Sequence, residues 1–237
     1  MRALSRLPLA VAAASAGLLL VAGPGVREGL WGFRTGFSLL QWAAFGGLSA
    51  AGAAAAAALG RPAEARAQSR ALLAAGLLGL GSAAVPWAVR RSARSVPPIH
   101  DISTDTQDPP PFVAALQARR GAPNPAEYGG PEVARRQAEA YPDLRPLAVA
   151  GPPGETFARA LEAARDLGWE IVAAEPSEGR IEATDATFWF GFKDDVVIRV
   201  RPDGPGASRL DVRSVSRVGK GDAGANARRI RRLLRRL

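Results

Sequence analysis

The sequence predicts three transmembrane α-helices followed by an α+β domain, in which an antiparallel sheet carries helices packed on one face. Two observations predict this fold. The first part of the chain contains three long stretches without a charged residue, and the second part alternates apolar and polar residues in short segments bounded by glycine and proline. We therefore divide the 237 residues into a three-helix anchor at 1–94, a proline-rich connector at 95–111 and the α+β domain at 112–237.

The three uncharged stretches are long enough to cross a bilayer. They run over about 7–26, 35–60 and 71–89, and a helix needs about 20 mainly apolar residues to span the hydrocarbon core. Their lack of ionisable side chains argues against an ion or proton pathway and favours a passive anchor. A cleavable signal peptide at 7–26 and a soluble alanine-rich bundle are the alternatives. We favour retained spans, because two more follow the first and none has a polar face.

The positive charge is concentrated in two places. The formal net charge is +9, carried by 29 arginines and two lysines against 22 acidic residues. The anchor contributes +8 and the last sixteen residues +5, whereas 95–221 carries −4. This distribution indicates the lipid bilayer as partner and argues against nucleic acid. The chain has no cysteine and one histidine, so we expect no metal site, and we expect no cofactor.

The α+β domain begins after the connector with a short helical run at 132–140. The later segments predict helix–strand–strand–strand–strand–helix, with Asp222 as the N-cap of the last helix. That helix has an apolar stripe and six arginines, so it either packs on the sheet or lies on anionic lipid. The predicted elements after the short run are a helix at 156–167, strands at 169–174, 179–192, 195–201 and 208–217, and a helix after 222.

The last two strands place charges of both signs on one face. If they pair, Arg199 or Arg201 lies opposite Asp211, and one register places Asp195 opposite Arg217. Such cross-strand pairs contribute about 0.2–1 kcal/mol each. The face is therefore either a solvated, salt-bridged sheet surface or an arginine-lined patch for an anionic ligand such as a lipid phosphate.

Catalytic motifs are weak in this sequence. Asp194 and Asp195 are adjacent, and adjacent strand residues point to opposite faces, so they form no acid/base dyad within a strand. His100 and the polar residues after it contain the residue types of a catalytic triad, but neighbours in an extended segment do not face one another. We therefore predict no catalytic residue.

Several blocks of the domain resemble a known family. The stretches PPIHDISTDTQDPPPF, QAEAYPD, GWEIVAAEPSEGRIEATDATFWFGFKDDVVIRV and DVRSVSRVGKGDAGANARRIRRLL occur in this order. They closely resemble the family known as domain of unknown function 1499, over roughly 96–237. Three-span versions look like the α-proteobacterial form, which implies an inner-membrane protein with the domain on the periplasmic side. Arginine counts do not decide the side, because each side of the membrane would hold five, Arg2 included.

The family has no established activity, so the resemblance implies no catalytic residues. Its motif positions and the charged sheet face together define our candidate surface for a ligand or partner. The main candidates are Asp194, Asp195, Arg199, Asp211, Arg213, Ser214, Ser216, Arg217, Asp222, Asn226 and Arg229, and the secondary candidates are Asp101, Thr104 and Asp105.

Three functions follow as hypotheses. The leading one is a membrane-anchored envelope protein whose non-catalytic domain binds a protein partner or an anionic lipid-like ligand. The first alternative is an uncharacterised hydrolase that uses Asp194, Asp195 and Ser214 or Ser216, which requires these side chains to converge in a pocket. The second alternative is a structural subunit of a larger membrane complex.

Overall fold

The computed structural model describes residues 4–237, so Arg2 lies outside the described residues. The chain forms two compact units. The first unit contains the chain up to Ser92 together with Phe188–Gly191, and the second contains Ala93–Thr187 and Phe192–Leu237.

Four helices form the first unit. They are α1 (Arg6–Arg27), α2 (Phe33–Gly60), α3 (Pro62–Ala67) and α4 (Ser69–Arg94). Helices α1, α2 and α4 are long and apolar enough to cross a membrane, which confirms the three predicted spans. The short helix α3 was not predicted. Pro62 stands in its first turn, where proline is tolerated because the missing N–H would have no partner there.

Glycines set the contact between α2 and α4. A Cβ atom added at Gly47 would overlap the carbonyl oxygen of Gly79, and one added at Gly79 would overlap the carbonyl oxygen of Gly47. The two backbones therefore approach more closely than any side chain would permit. Small residues at helix contacts are typical of membrane bundles, where association depends on van der Waals contact.

Six antiparallel strands form the sheet of the second unit. Its order is β1-β6-β5-β4-β3, and β2 pairs with another part of β6. The strands are β1 (Asp101–Ser103), β2 (Leu147–Ala150), β3 (Glu170–Glu175), β4 (Arg180–Ala186), β5 (Lys193–Pro202) and β6 (Ala207–Ser216), and the helices are α5 (Ala115–Ala118), α6 (Gly130–Ala140), α7 (Pro153–Asp166) and α8 (Ala225–Leu234).

Helices α7 and α8 cover one face of this sheet, as predicted. Val196 and Ile198 of β5 belong to a single apolar core with Phe157 of α7 and Ile230 of α8. The apolar stripe of α8 therefore points into the core, and Leu233 on the same stripe is fully buried. Burying side chains of this kind contributes about 1.5–3 kcal/mol each, so the domain depends on this helix.

The opposite face is also covered, by residues 104–128. Phe112 and Ala115 pack there on Val197 and Val215. The carboxylate of Glu182 fixes this segment, because it accepts hydrogen bonds of 2.8–3.0 Å from the first backbone N–H groups around α5. These N–H groups have no partner within a helix. A buried carboxylate on the sheet thus holds the start of a helix against it.

The structure departs from the sequence-based boundaries at three places. Part of the proline-rich connector is the edge strand β1, which pairs with β6, so the connector is not wholly separate from the domain. Strand β2 was not predicted. The strand expected at 179–192 ends at Ala186, because Thr187 and Phe192 close a turn in which the N–H of Thr187 donates to the carbonyl of Phe192 over 2.9 Å.

The glycine contact gives a direct test of the helical unit. Replacing Gly79 by valine forces α2 and α4 apart, and such overpacking costs about 1–3 kcal/mol. We expect a lower melting temperature in thermal unfolding followed by circular dichroism in detergent. Gly81→Val is the matched control, because a Cβ at Gly81 meets open space. Equal loss of stability in both variants would contradict the close contact.

Candidate functional site

The candidate residues lie on both faces of the sheet, and most are inside the protein. Only Arg199, Arg217 and Asp222 keep appreciable exposure. Most of these positions are covered because α8 lies on one face of the sheet and residues 104–128 lie on the other, and their role as a ligand or partner surface stays a prediction. The buried members are Asp101, Thr104, Asp105, Asp194, Asp195, Asp211, Arg213, Ser214, Ser216, Asn226 and Arg229.

Arg229 joins α8 to the sheet. Its side chain is 2% exposed. It donates from Nη2 to Asp194 Oδ2 over 2.6 Å and from Nε to Asp185 Oδ2 over 2.7 Å. One buried guanidinium thus pairs with carboxylates from two neighbouring strands, β5 and β4. Asp185 was not among the predicted residues, although its place beside Asp194 follows once β4 and β5 are paired.

Asn226 extends this network along β6. Its amide oxygen accepts a hydrogen bond from Ser214 Oγ over 2.6 Å, and its amide nitrogen donates to Ser216 Oγ over 3.0 Å. The same nitrogen also donates to the carbonyl of His100 over 3.0 Å. Both serines therefore serve to position the asparagine, and through it the first turn of α8.

Asp222 holds the start of α8, but the N-cap residue is Gly224 and not Asp222 as predicted. Its carboxylate accepts hydrogen bonds from the backbone N–H groups of Gly224 over 2.8 Å and of Asn226 over 2.6 Å. Burial raises the pKa of Asp222, and the nearby charge of Asp194 adds to this, while the two backbone donors oppose it. The capping bonds therefore offset part of the cost of burying this carboxylate.

Asp195 is the centre of the network on the opposite face. It accepts hydrogen bonds of 2.7 Å from Thr184 Oγ1, Arg119 Nη1 and Arg217 Nη2. Burial alone would raise the pKa of Asp195, but the donors from Arg217, Thr184 and Arg119 outweigh it and lower the pKa. Arg119 lies just after α5 in a segment without clear periodicity, so the sequence carried no signal for its role.

Arg213 ties the edge strand β1 to β6. It binds Asp101 through both carboxylate oxygens, over 2.9 and 2.7 Å. Its guanidinium lies 5.3 Å from the ring centroid of Phe112 and 5.5 Å from that of Tyr128. Planar stacking and two-point binding are properties of arginine rather than lysine. The role of this pair is to hold an otherwise minimal three-residue strand in the sheet.

A cluster of arginines and aspartates lies on the sheet face that carries Asp195 and Arg213, at its more exposed end. Arg199 is directly opposite Asp211, which confirms one predicted register, whereas Asp195 is opposite Val215 and reaches Arg217 diagonally. Each of its three arginines contacts at least one of its three aspartates. The cluster therefore has no excess positive charge. Its members are Arg199, Arg201, Arg209, Asp105, Asp108 and Asp211.

The groups required for the hydrolase alternative do not converge. Asp194 bonds to Arg229 on the helix-covered face, and Asp195 bonds to Arg119 and Arg217 on the other face. Ser214 and Ser216 are both engaged by Asn226. Within residues 4–237, no group of three histidine, aspartate or glutamate side chains could hold a metal ion.

Four arginines on the outer side of α8 and in the turn after it were not among the predicted site residues. Arg228, Arg232, Arg235 and Arg236 are exposed. Their carboxylate contacts are long, 3.8 Å from Arg232 to Asp185 and 3.7 Å from Arg236 to Asp166. Within the described chain Arg235 has no carboxylate contact. The signal was present in the sequence, since these arginines fall off the apolar stripe of the helix.

Comparison with family models identifies the family of the second unit. A family model described as "Protein of unknown function (DUF1499)" matches residues 101–237. This region begins at β1 and includes the whole sheet and all helices of the second unit after it. No curated protein matches the chain.

The Asp195 network predicts sensitivity to acid. A carboxyl whose pKa is lowered on folding stabilises the protein above its unfolded pKa of about 3.9, and the contribution is lost as the pH falls through the folded pKa. We expect the melting temperature, followed by fluorescence with buried Trp169 as one reporter, to fall between about pH 5 and pH 2. Asp195→Asn should make the melting temperature less dependent on pH and cost about 3–5 kcal/mol of stability at pH 7, because the buried Arg119 and the half-buried Arg217 lose their partner. Asp166→Asn, at an exposed position, is the control; an unchanged profile in Asp195→Asn would refute the assignment.

Proposed function

The chain belongs to the DUF1499 family, whose function is unknown, and from that premise we propose that it is a non-catalytic, multi-pass membrane protein whose C-terminal domain binds anionic lipid head groups. The binding surface in this proposal is the set of exposed arginines on α8 and in the turn that follows it: Arg228, Arg232, Arg235 and Arg236. The observation that carries it is the contrast between these side chains and the buried arginines, which are held by short bonds to carboxylates.

The packing of α8 supports contact with head groups rather than insertion. An amphipathic helix that enters a bilayer buries its apolar side among acyl chains. In α8 that side is already occupied, because Ala227, Ile230 and Leu233 are fully buried in the domain core. The helix therefore offers only its charged side, and arginines near an anionic surface contribute about 1 kcal/mol each.

Phosphate is the anion that this surface suits best. Arginine presents a planar fork of donors that matches phosphate oxygens, and it remains charged at any physiological pH. Six residues, 95–100, connect α4 to β1, so a domain tethered by the anchor encounters lipid phosphates at high local concentration. An acidic protein partner is the competing occupant, and the test below separates the two.

The proposed location is the inner membrane, with the C-terminal domain on the periplasmic side. Three candidate spans support a multi-pass protein, and the resemblance of the chain to three-span family members, which implies a periplasmic domain, supports the side. Because three spans place α3 and the domain on opposite sides of the membrane, one experiment can assign both.

Cysteine labelling can determine the membrane topology, because the natural chain has no cysteine and each introduced cysteine is therefore the one that reacts. We expect Glu139→Cys, at an exposed position of α6, to react with a membrane-impermeant maleimide in spheroplasts. Ala63→Cys in α3, also exposed, should react only after the membrane is opened. The reverse pattern would place the domain in the cytoplasm.

Lipid contact can be measured on the full chain in nanodiscs. A fluorophore on Arg236→Cys should be quenched by head-group spin-labelled lipid when the disc contains phosphatidylglycerol, and much less in pure phosphatidylcholine. Changing Arg228, Arg232 and Arg235 together to glutamine should abolish this difference, since about 1 kcal/mol is lost per arginine. High salt should weaken it in the unmodified chain.

The matched control changes three exposed arginines outside α8, namely Arg120, Arg136 and Arg145, to glutamine. It should leave the quenching unchanged. Quenching that is independent of lipid charge, or equally affected by both triple variants, would overturn the proposal. Loss of a co-purifying acidic protein with quenching retained would assign the surface to a protein partner instead.

A further inference from the structure

An apolar groove lies in the helical unit between α2 and α4, with α3 at its end. Its volume is about 610 Å³, which is within the range of about 300–1,000 Å³ typical of small-molecule sites. Alanines such as Ala54 and Ala58 line one wall, and leucines such as Leu73 and Leu77 line the other. Gly76 also belongs to the lining, and a Cβ placed there meets nothing within 4 Å.

The length of the groove corresponds to one leaflet. Along α4 it extends from Ser69 to Leu80, which is about 16 Å at 1.5 Å per residue. Half of a typical hydrocarbon core is about 15 Å. A chain that starts at the α3 end and follows α4 therefore ends close to the bilayer centre, as one acyl chain of a phospholipid does.

The α3 end of the groove is basic. Arg66 and Ser69 belong to its lining, and both are exposed. Among the described residues Arg66 has no carboxylate partner, since the nearby Glu64 contacts Arg61 over 3.6 Å. Arg70 lies one turn further along the chain and is also exposed. Positive groups at the mouth of an apolar groove between transmembrane helices suit an anionic head group.

We propose that the groove between α2 and α4 binds one acyl chain of an anionic glycerophospholipid, whose phosphate is held by Arg66 and Ser69. The lipid belongs to the leaflet on the α3 side. This site is independent of the α8 surface, because it uses different residues in the other structural unit. It makes the anchor a selective lipid-binding element.

Native mass spectrometry of the full chain in mild detergent tests this proposal. With equal amounts of phosphatidylglycerol and phosphatidylcholine added, we expect one retained phosphatidylglycerol per chain. Gly76→Leu fills the groove and should remove most of the retained lipid. Arg66→Gln should lower the preference for phosphatidylglycerol by about fivefold, while phosphatidylcholine still binds.

Two control variants test whether the loss of retained lipid is specific to the groove and to Arg66. Gly81→Leu introduces the same side chain on α4 into open space, and Arg34→Gln removes an exposed arginine near the start of α2. Both should retain the lipid. If Gly76→Leu impairs folding, as judged by circular dichroism, Ala58→Leu narrows the groove from the α2 side and should give the same loss.

Retention that is insensitive to Gly76→Leu and Ala58→Leu, or equal for both lipids, would overturn the proposal. The triple change of Arg228, Arg232 and Arg235 should not affect this retention. Failure at α8 and failure at the groove are therefore separate results.

Discussion

The second unit depends on one constraint of strand geometry, that adjacent residues point to opposite faces of a sheet. Because of it, the neighbours Asp194 and Asp195 send one carboxylate to each side. Asp194 binds Arg229 and thereby holds α8, whereas Asp195 binds Arg119 and thereby holds the segment that follows α5. A single dipeptide thus positions the layers on both faces of β5.

These ion pairs specify the arrangement more than they stabilise it. Removing charges from water costs several kcal/mol per ion, and their attraction in the interior roughly offsets that cost. The net stabilisation comes from the apolar core that Val196, Ile230 and their neighbours form. Pairs such as Arg229 with Asp194 and Asp185 instead penalise any other placement of α8, because a shifted helix would leave the buried charges of Arg229 and Asp194 without partners.

Sequence periodicity predicted the parts of this fold that repeat over several residues. The spans, helix α7 and the charged alternation of β5 and β6 follow from such patterns, which also narrowed the residue opposite Asp211 to Arg199 or Arg201. Strand β1 has three residues and β2 has four, too few for a pattern to emerge. The burial of the charged sheet face could not be predicted from the sequence, for a different reason. It results from an irregular segment that provides Arg119 and Phe112 through long-range contacts, which local patterns do not encode.

The preference for arginine over lysine follows from this architecture. A buried lysine can lose its proton, and an ammonium group cannot bridge two carboxylates in a plane, whereas arginine stays charged and binds in two directions. Arg119, Arg213 and Arg229 are buried, while both lysines, Lys193 and Lys220, are exposed. Composition alone could not separate arginines fixed inside the sheet layers from those free to meet phosphate. Burial makes that distinction. The two lipid proposals rest on exposed arginines without close carboxylate partners, at the outer side of α8 with the turn after it and at the α3 end of the anchor.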